Sequence, residues 1–307
     1  MVGRPRSVAL VAIDWGTTTA RAYRFDEGGS VVAEHSAALG VQKIEGGRFR
    51  DALVTLLGGD LPKDTPFIAC GMIGSRQGWL EAPYLDCPTD FVAMAGALAH
   101  LPDVPLAIVP GLICRDADGV PDVMRGEETQ VFGALEEPYN RELIVLPGTH
   151  SKWVLVDHGW IETFSTFMTG ELYAVLREHS ILGRLAAPGA DSAAAFDRGI
   201  RASLRDGAVL SHDVFSARTL ALTAELAPED VADYLSGLLL GAEVAAGRRW
   251  IERHSAQNRS VTLIGDSMLC NRYRRALAAA DIPAASGPSD AAARGLWRIA
   301  VRAGIVR

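Results

Sequence analysis

The run Ile13-Asp14-Trp15-Gly16-Thr17-Thr18-Thr19 sets a carboxylate beside a glycine and three hydroxyls. A glycine at a strand corner lets backbone N–H groups approach an anion, and threonine hydroxyls add donors, so Gly16, Thr17 and Thr18 suit phosphate oxygens. Asp14, leaving the strand just ahead of them, is placed to hold magnesium directly or through water. A second corner, Gly148-Thr149-His150-Ser151-Lys152, repeats the glycine and the hydroxyl and adds two cations, His150 and Lys152. Neither corner is a Walker A loop, yet one in each half of the chain would clamp a triphosphate from both sides.

Two further runs supply what a phosphoryl acceptor needs. Arg125-Gly126-Glu127-Glu128-Thr129-Gln130 opens a helix, and a carboxylate there, Glu127 or Glu128, would take the proton of an attacking hydroxyl. Acidic residues also favour a first helical turn through the helix dipole alone. Gly71-Met72-Ile73-Gly74-Ser75-Arg76-Gln77-Gly78-Trp79 follows a strand. Arg76 can fork onto a carboxylate, Ser75 and Gln77 can bond sugar hydroxyls, and Trp79 and Tyr84 can stack on a carbon chain. The alternative is a glycine-rich surface loop with no ligand.

The elements that must position these runs are legible in outline. Alternation and the turn Asp26-Glu27-Gly28-Gly29 predict three strands, Val8–Ile13, Thr19–Phe25 and Ser30–Ser36, in an antiparallel meander. The same plan returns at Leu143–Leu146, Lys152–Val156 and Trp160–Phe167, with Gly148-Thr149 where Gly16-Thr17 stood, which points to internal duplication. Strands are expected near Phe67–Cys70, Leu106–Val109 and Val261–Ile264, and helices over about 127–135 and 289–301. A long helix is expected to open at Pro228, Glu229 and Asp230, bury Val231, Tyr234, Leu235, Leu238 and Leu239, and end where Arg248 and Arg249 meet its last carbonyls. Val261–Ile264 runs into Gly265-Asp266-Ser267 and another helix, a strand–turn–helix place where ligands often sit.

Length and composition bound the rest. The chain has 307 residues, long for a single core, which predicts two lobes, 1–142 and 143–307, with the last helix free to pack back on the first. The net charge of −7, with no clustered basic run, argues against nucleic acid as a partner. The scattered Cys70, Cys87, Cys114 and Cys270 form no CxxC pair and read as buried thiols in a reducing compartment. No stretch suits a signal peptide or a membrane span, so the expectation is a cytoplasmic protein with no membrane partner. The number of assembled chains is not fixed by the sequence; a homodimer is compatible with it.

Taken in order, Asp14-Trp15-Gly16-Thr17-Thr18, Gly-Met-Ile-Gly-Ser-Arg-Gln-Gly-Trp, Met-Arg-Gly-Glu-Glu-Thr-Gln and Leu-Pro-Gly-Thr-His-Ser-Lys-Trp resemble the 2-dehydro-3-deoxygalactonokinase family. Gly287-Pro288-Ser289-Asp290 with Gly295-Leu296-Trp297 resembles the family's tail. The resemblance implies an α/β fold of two ribonuclease-H-like, actin-like lobes with mixed sheets flanked by helices and a nucleotide cleft between them. It also implies ATP and Mg2+ as cofactors, and phosphorylation of the 6-hydroxyl of 2-dehydro-3-deoxy-D-galactonate in galactonate breakdown. By similarity to the wider superfamily, Gly16, Thr17 and Thr18 match its first phosphate loop, Gly148 and Thr149 its second, and Gly265 with Asp266 its adenosine loop. Many relatives carry an aspartate where Pro147 stands, which leaves magnesium resting mainly on Asp14. Glycerol-kinase-like enzymes point to Glu127 as the base, exopolyphosphatase-like relatives to Glu128. The competing expectations are a kinase of another sugar or sugar acid, an exopolyphosphatase-like hydrolase, and a non-catalytic regulator that binds sugar or nucleotide.

Overall fold

A computed structural model of the chain describes residues 8–59, 65–137, 139–257 and 259–306. In chain order come β1 (Leu10–Trp15), β2 (Ala20–Phe25), β3 (Val31–Ala37), α1 (Phe49–Leu57), β4 (Phe67–Gly71), β5 (Tyr84–Asp86), β6 (Thr89–Asp90), α2 (Phe91–Gly96), β7 (Ala99–His100), β8 (Leu106–Ile108), β9 (Gly111–Arg115), β10 (Pro121–Met124) and α3 (Glu127–Ala134). They are followed by β11 (Glu142–Leu146), β12 (Ser151–Asp157), β13 (Trp160–Phe167), α4 (Thr169–His179), α5 (Ala193–Leu204), α6 (Leu210–Asp213), α7 (Ser216–Leu222), α8 (Val231–Arg253), β14 (Val261–Leu263), α9 (Ser267–Ala279), β15 (Ala284–Ser286) and α10 (Ala291–Arg302). The class is the α/β one expected, with mixed sheets and flanking helices. Two compact units divide the described residues: one within Met1–Arg141, Leu155–Phe164 and Pro288–Arg307, the other within Glu142–Val154 and Ser165–Gly287.

In the first unit a six-stranded sheet has the order β3-β2-β1-β4-β8-β7. Strand β1 runs antiparallel to β2 and parallel to β4, and β4 runs parallel to β8. A strand in the middle of a sheet covered on both faces must be apolar throughout, and Leu10 to Ile13 are all fully buried. Helix α1 adds Phe49, Leu53 and Leu56 to the cluster that holds Val11, Ile13 and Trp15. A small sheet of order β10-β9-β5 leads the chain into α3. Helix α10 crosses α3 at very close range: a Cβ on Gly133 would sit 1.9 Å from the Ala291 carbonyl, and one on Gly295 would sit 2.0 Å from that of Thr129. The crossing that fixes α3 therefore depends on both glycines.

A second six-stranded sheet has the order β15-β14-β11-β12-β13-β6, with β11 and β14 parallel and β14 and β15 parallel. Its run β13-β12-β11-β14-β15 repeats the order β3-β2-β1-β4-β8 of the first sheet, so the duplication expected from two hairpins extends to the parallel strands beyond them. In the second unit α5 and α8 approach through paired glycines, since a Cβ on Gly199 would meet the Tyr234 carbonyl at 2.2 Å and one on Gly237 that of Phe196 at 2.0 Å. Helix α8 departs from expectation at its end. It continues to Arg253, so Arg248 and Arg249 lie inside it and Arg253 holds the last turn, because Trp250 and Ile251 bury and keep the helix packed. Among the described residues no helix is long and apolar enough to cross a membrane.

Candidate active site

The first glycine–threonine corner is a fixed loop at the end of β1. The Gly16 N–H donates to the Thr19 carbonyl at 2.9 Å. The carbonyls of Gly16, Thr17 and Thr18 accept from the N–H groups of Val41, Gln42 and Gly40. Only glycine fits at position 40, where a Cβ would lie 2.2 Å from the Thr18 nitrogen. With their carbonyls so engaged, Thr17 and Thr18 stay exposed.

Asp14, one residue from the end of β1, is the register partner of Cys70 on β4, and the Cys70 thiol donates to its Oδ1 at 3.8 Å. Burial pushes the Asp14 carboxyl up, Arg21 pulls it back down, and the nearby charge of Glu127 adds to the rise. The link to Glu127 runs through two glycines with positive φ. A Cβ on Gly71 would lie 2.7 Å from the Trp15 carbonyl and 3.6 Å from the Asp14 carboxylate, and one on Gly126 would lie 3.1 Å from the Gly71 Cα. Absent side chains at 71 and 126 are what bring the start of α3 against the end of β1.

The two glutamates that open α3 differ in setting. Glu127 is half-buried and accepts from the Arg125 N–H at 3.0 Å. Glu128 is fully buried, accepting from the Gly126 N–H at 2.7 Å and from the Thr129 hydroxyl at 3.1 Å. Burial first, and the Glu127 charge second, push the Glu128 carboxyl up to about 7, against the pull of those hydrogen bonds. Of the pair, Glu127 is the one with access to solvent.

The loop after β4 is placed less simply than its chemistry suggested. The Arg76 side chain is 88% exposed at the loop tip, with its Nε 3.0 Å from Glu81. Gln77 is exposed, while the Ser75 hydroxyl donates to the Met72 carbonyl at 2.8 Å. Trp79 packs on the core and stacks on Phe49 at 6.1 Å, which leaves its face turned inward. Tyr84 is exposed on one side and lies over the Arg125 guanidinium on the other, 4.2 Å from the ring centre. Arg125 itself is buried, donating to the Ala82 carbonyl at 2.8 Å.

In the second unit the second corner opens on a cavity of about 970 Å³. Gly148, Thr149, Gly170, Asp266 and Arg272 are among the residues that line it. Gly170 sits against the corner, since a Cβ there would meet the Gly148 carbonyl at 2.5 Å, and the Glu171 N–H donates to the Thr149 carbonyl at 3.0 Å. A Cβ on Gly148 would meet nothing within 4 Å, so the corner presents bare backbone to open space. Gly265, with φ of 150°, brings its turn beside the Pro147 carbonyl, and Asp266 caps α9 by accepting from the N–H groups of Met268 and Leu269. His150 and Lys152 are not in the lining. His150 pairs with Glu171, and the buried Lys152 donates to the Thr166 hydroxyl at 2.8 Å. Strand alternation along β12 turns Lys152 away from the corner it follows.

A family model described as 2-keto-3-deoxy-galactonokinase matches residues 14–299. The chain belongs to this family. The match spans nearly all of the chain, from Asp14 of the first corner past the Gly265-Asp266 turn. The 2-dehydro-3-deoxygalactonokinase of Escherichia coli (strain K12) is 37% identical over 279 residues, covering 90% of this chain and 92% of that protein. A crystal structure of a Sinorhizobium meliloti protein provisionally given the same name is 35% identical, with a TM-score of 0.83 over 97% of this chain and 99% of the other. The activator of 2-hydroxyisocaproyl-CoA dehydratase from Clostridium difficile, solved with bound ADPNP, aligns with a TM-score of 0.51 at 13% identity over 96% of this chain and 93% of that one, a likeness of fold alone.

Three further residues owe their place to contacts between distant parts of the chain. Cys70 is the buried thiol its sequence setting suggests, and the parallel pairing of β1 with β4 brings it to Asp14. Arg125 stood beside the glutamates as a neighbour, and its burial under Tyr84 is a tertiary fact. Glu243 carried a signal that could have been used: it is a lone acid inside the apolar run Leu238-Leu239-Leu240-Gly241-Ala242-Glu243-Val244-Ala245-Ala246.

Proposed function

We propose that the chain transfers the terminal phosphoryl group of ATP to the 6-hydroxyl of 2-dehydro-3-deoxy-D-galactonate. The observation that carries this reading is the conjunction of Asp14, Glu127 and Glu128 at one end of a buried sheet, in a chain whose family and 37% identical relative are named as kinases of that sugar acid. The division of labour follows the units. The second holds the nucleotide, with bare backbone at Gly148 and Thr149 for its phosphates and the Gly265-Asp266 turn for its adenosine. The first supplies the base and the loop that meets the sugar acid.

Asp14 suits a divalent cation such as magnesium. It is a carboxylate pushed up by burial, beside a second acidic charge, and a cation relieves both. Among the described residues no three His, Cys, Asp or Glu gather to hold a metal, so the remaining ligands would be phosphate oxygens and water. When bound, the ion offsets charge on the phosphates.

The remaining steps belong to the chain. Glu127 accepts the proton of the attacking hydroxyl, having a carboxylate with access to solvent and a backbone N–H from Arg125 to orient it. Glu128 sets the Gly126 N–H and the Thr129 hydroxyl, which fixes the start of α3. The exposed hydroxyls of Thr17 and Thr18 offer donors to phosphate oxygens. Arg76 exchanges Glu81 for the substrate carboxylate. We place the protein in the cytoplasm, where ATP and the sugar acid are both available.

An ADP-release assay across 2-keto-3-deoxy sugar acids, neutral sugars and polyphosphate tests the reading. Turnover that needs both ATP and a sugar acid, highest with 2-dehydro-3-deoxygalactonate, is the expected result. Phosphate release from polyphosphate with no acceptor, or turnover on neutral sugars alone, would overturn it.

A further inference from the structure

The buried acid of α8 gathers donors from three other elements of the second unit. Glu243 is 3% exposed. Its Oε1 accepts from the Ser151 hydroxyl at 2.8 Å and from the Trp153 indole N–H at 2.8 Å, and its Oε2 accepts from the Tyr273 hydroxyl at 2.9 Å. The Thr169 side chain donates as well. Room for the indole comes one helical turn on, at Gly247, where a Cβ would lie 2.4 Å from the Trp153 ring.

Each donor belongs to an element that shapes the nucleotide cavity. Ser151 and Trp153 lie in the first three residues of β12, which begins two positions after Thr149. Thr169 opens α4 and immediately precedes Gly170, the residue packed on the Gly148 carbonyl. Tyr273 lies on α9, the helix capped by Asp266, and lines the cavity together with Thr169. A buried carboxylate is costly, and burial pushes Glu243 above its usual range, an effect that the hydrogen bonds of Thr169, Trp153, Ser151 and Tyr273 offset only in part. An apolar residue at 243 would fill the helix face without these bonds, so what the acid adds is the geometry it imposes on its four donors.

We propose that Glu243 is the positioning residue of the second corner, tying β12, α4 and α9 to α8 so that the backbone of Gly148 and Thr149 is held in shape for nucleotide phosphates. It touches no nucleotide and acts through Ser151, Thr169 and Tyr273. The inference rests on the nucleotide reading of the cavity. It adds a determinant of ATP affinity more remote from the phosphates than the corner itself.

Glu243→Gln keeps the shape and removes one acceptor oxygen from a cluster of donors. Calorimetric titration of magnesium-ATP, followed by steady-state assays with each substrate varied, is expected to show a tenfold or greater rise in Kd and KM for ATP. KM for the sugar acid should stay within twofold. Tyr273→Phe, which deletes a single donor, should shift ATP in the same direction by about threefold, and it carries the test should Glu243→Gln not fold. Unchanged ATP affinity in the folded variant, or an equal rise in both KM values, overturns the positioning role. If the parent protein binds no magnesium-ATP, the nucleotide reading of the cavity falls first and this inference falls with it.

Discussion

Asp14 on β1 and Cys70 on β4 are register partners in a parallel pair, and the thiol of one donates to the carboxylate of the other at 3.8 Å. Burial, then the charges of Asp14 and Glu128, hold the Cys70 thiol well above its usual range. It therefore stays protonated at neutral pH, and thiolate is the reactive form. Iodoacetamide at pH 8 should leave Cys70 unmodified in the native protein and alkylate it fully in urea, as read by peptide mass spectrometry. Labelling of native Cys70 at the rate of a free thiol would contradict the buried pairing with Asp14.

The Glu128 carboxyl, pushed up to about 7 by burial and by Glu127, makes stability depend on pH. A carboxyl whose folded value is raised binds more protons folded than unfolded, so its favourable contribution is complete below about 4.5 and is lost as pH climbs through about 7. The loss amounts to roughly 3 kcal/mol from that shift. Denaturant titrations of the parent and of Glu128→Gln from pH 5 to pH 8 should show stability falling with pH more steeply in the parent. Parallel slopes would show that Glu128 does not titrate in that window.

Exchange of the two glutamates separates base from support. Glu127→Gln keeps the size of the side chain and removes the proton acceptor, and kcat should fall on the order of 10²- to 10⁴-fold, with KM for ATP little changed. Glu128→Gln leaves an acceptor oxygen for the Gly126 N–H and should cost less than tenfold in kcat. The reverse ranking in steady-state assays would move the base to Glu128.

Arg76 stands exposed against Glu81, and a surface ion pair of this kind contributes about 1 kcal/mol or less. A substrate carboxylate can therefore displace it at small cost. Arg76→Ala should raise KM for the sugar acid about tenfold or more, the loss of one charge-assisted contact, and leave KM for ATP within twofold. Equal effects on both would remove Arg76 from the substrate side.

How far the sequence could be read depended on the range of the interaction. The hairpins of β1–β3 and β11–β13 are local, and alternation with glycine turns revealed them together with both glycine–threonine corners. The buried stripe of α8 was equally plain, but its end was not, because burial of Trp250 and Ile251 outweighs the preference of Arg248 and Arg249 for last carbonyls. The two-residue strands β6 and β7 leave too few residues for a period to register. Within the candidate site, residue type singles out the corners and α3, whereas side-chain direction is not encoded in it. Lys152 has the chemistry of a phosphate cation and points to Thr166, and Trp79 has the face of a sugar platform and stacks on Phe49. Cys70, Arg125 and Glu243 owe their contacts to partners far away in the chain, which no local pattern encodes.

In the proposed reaction the bare backbone of the second corner receives nucleotide phosphate. Gly148→Ala probes that contact, because the added methyl meets no atom beyond its two chain neighbours within 4 Å and so spares the fold while occupying the space in front of the backbone. Titration of magnesium-ATP into parent and variant, with thermal melting as the control, is predicted to show an unchanged Tm and at least tenfold weaker binding in the variant. Parent-like affinity in a variant of parent-like Tm would mean that nucleotide phosphate does not rest on this backbone.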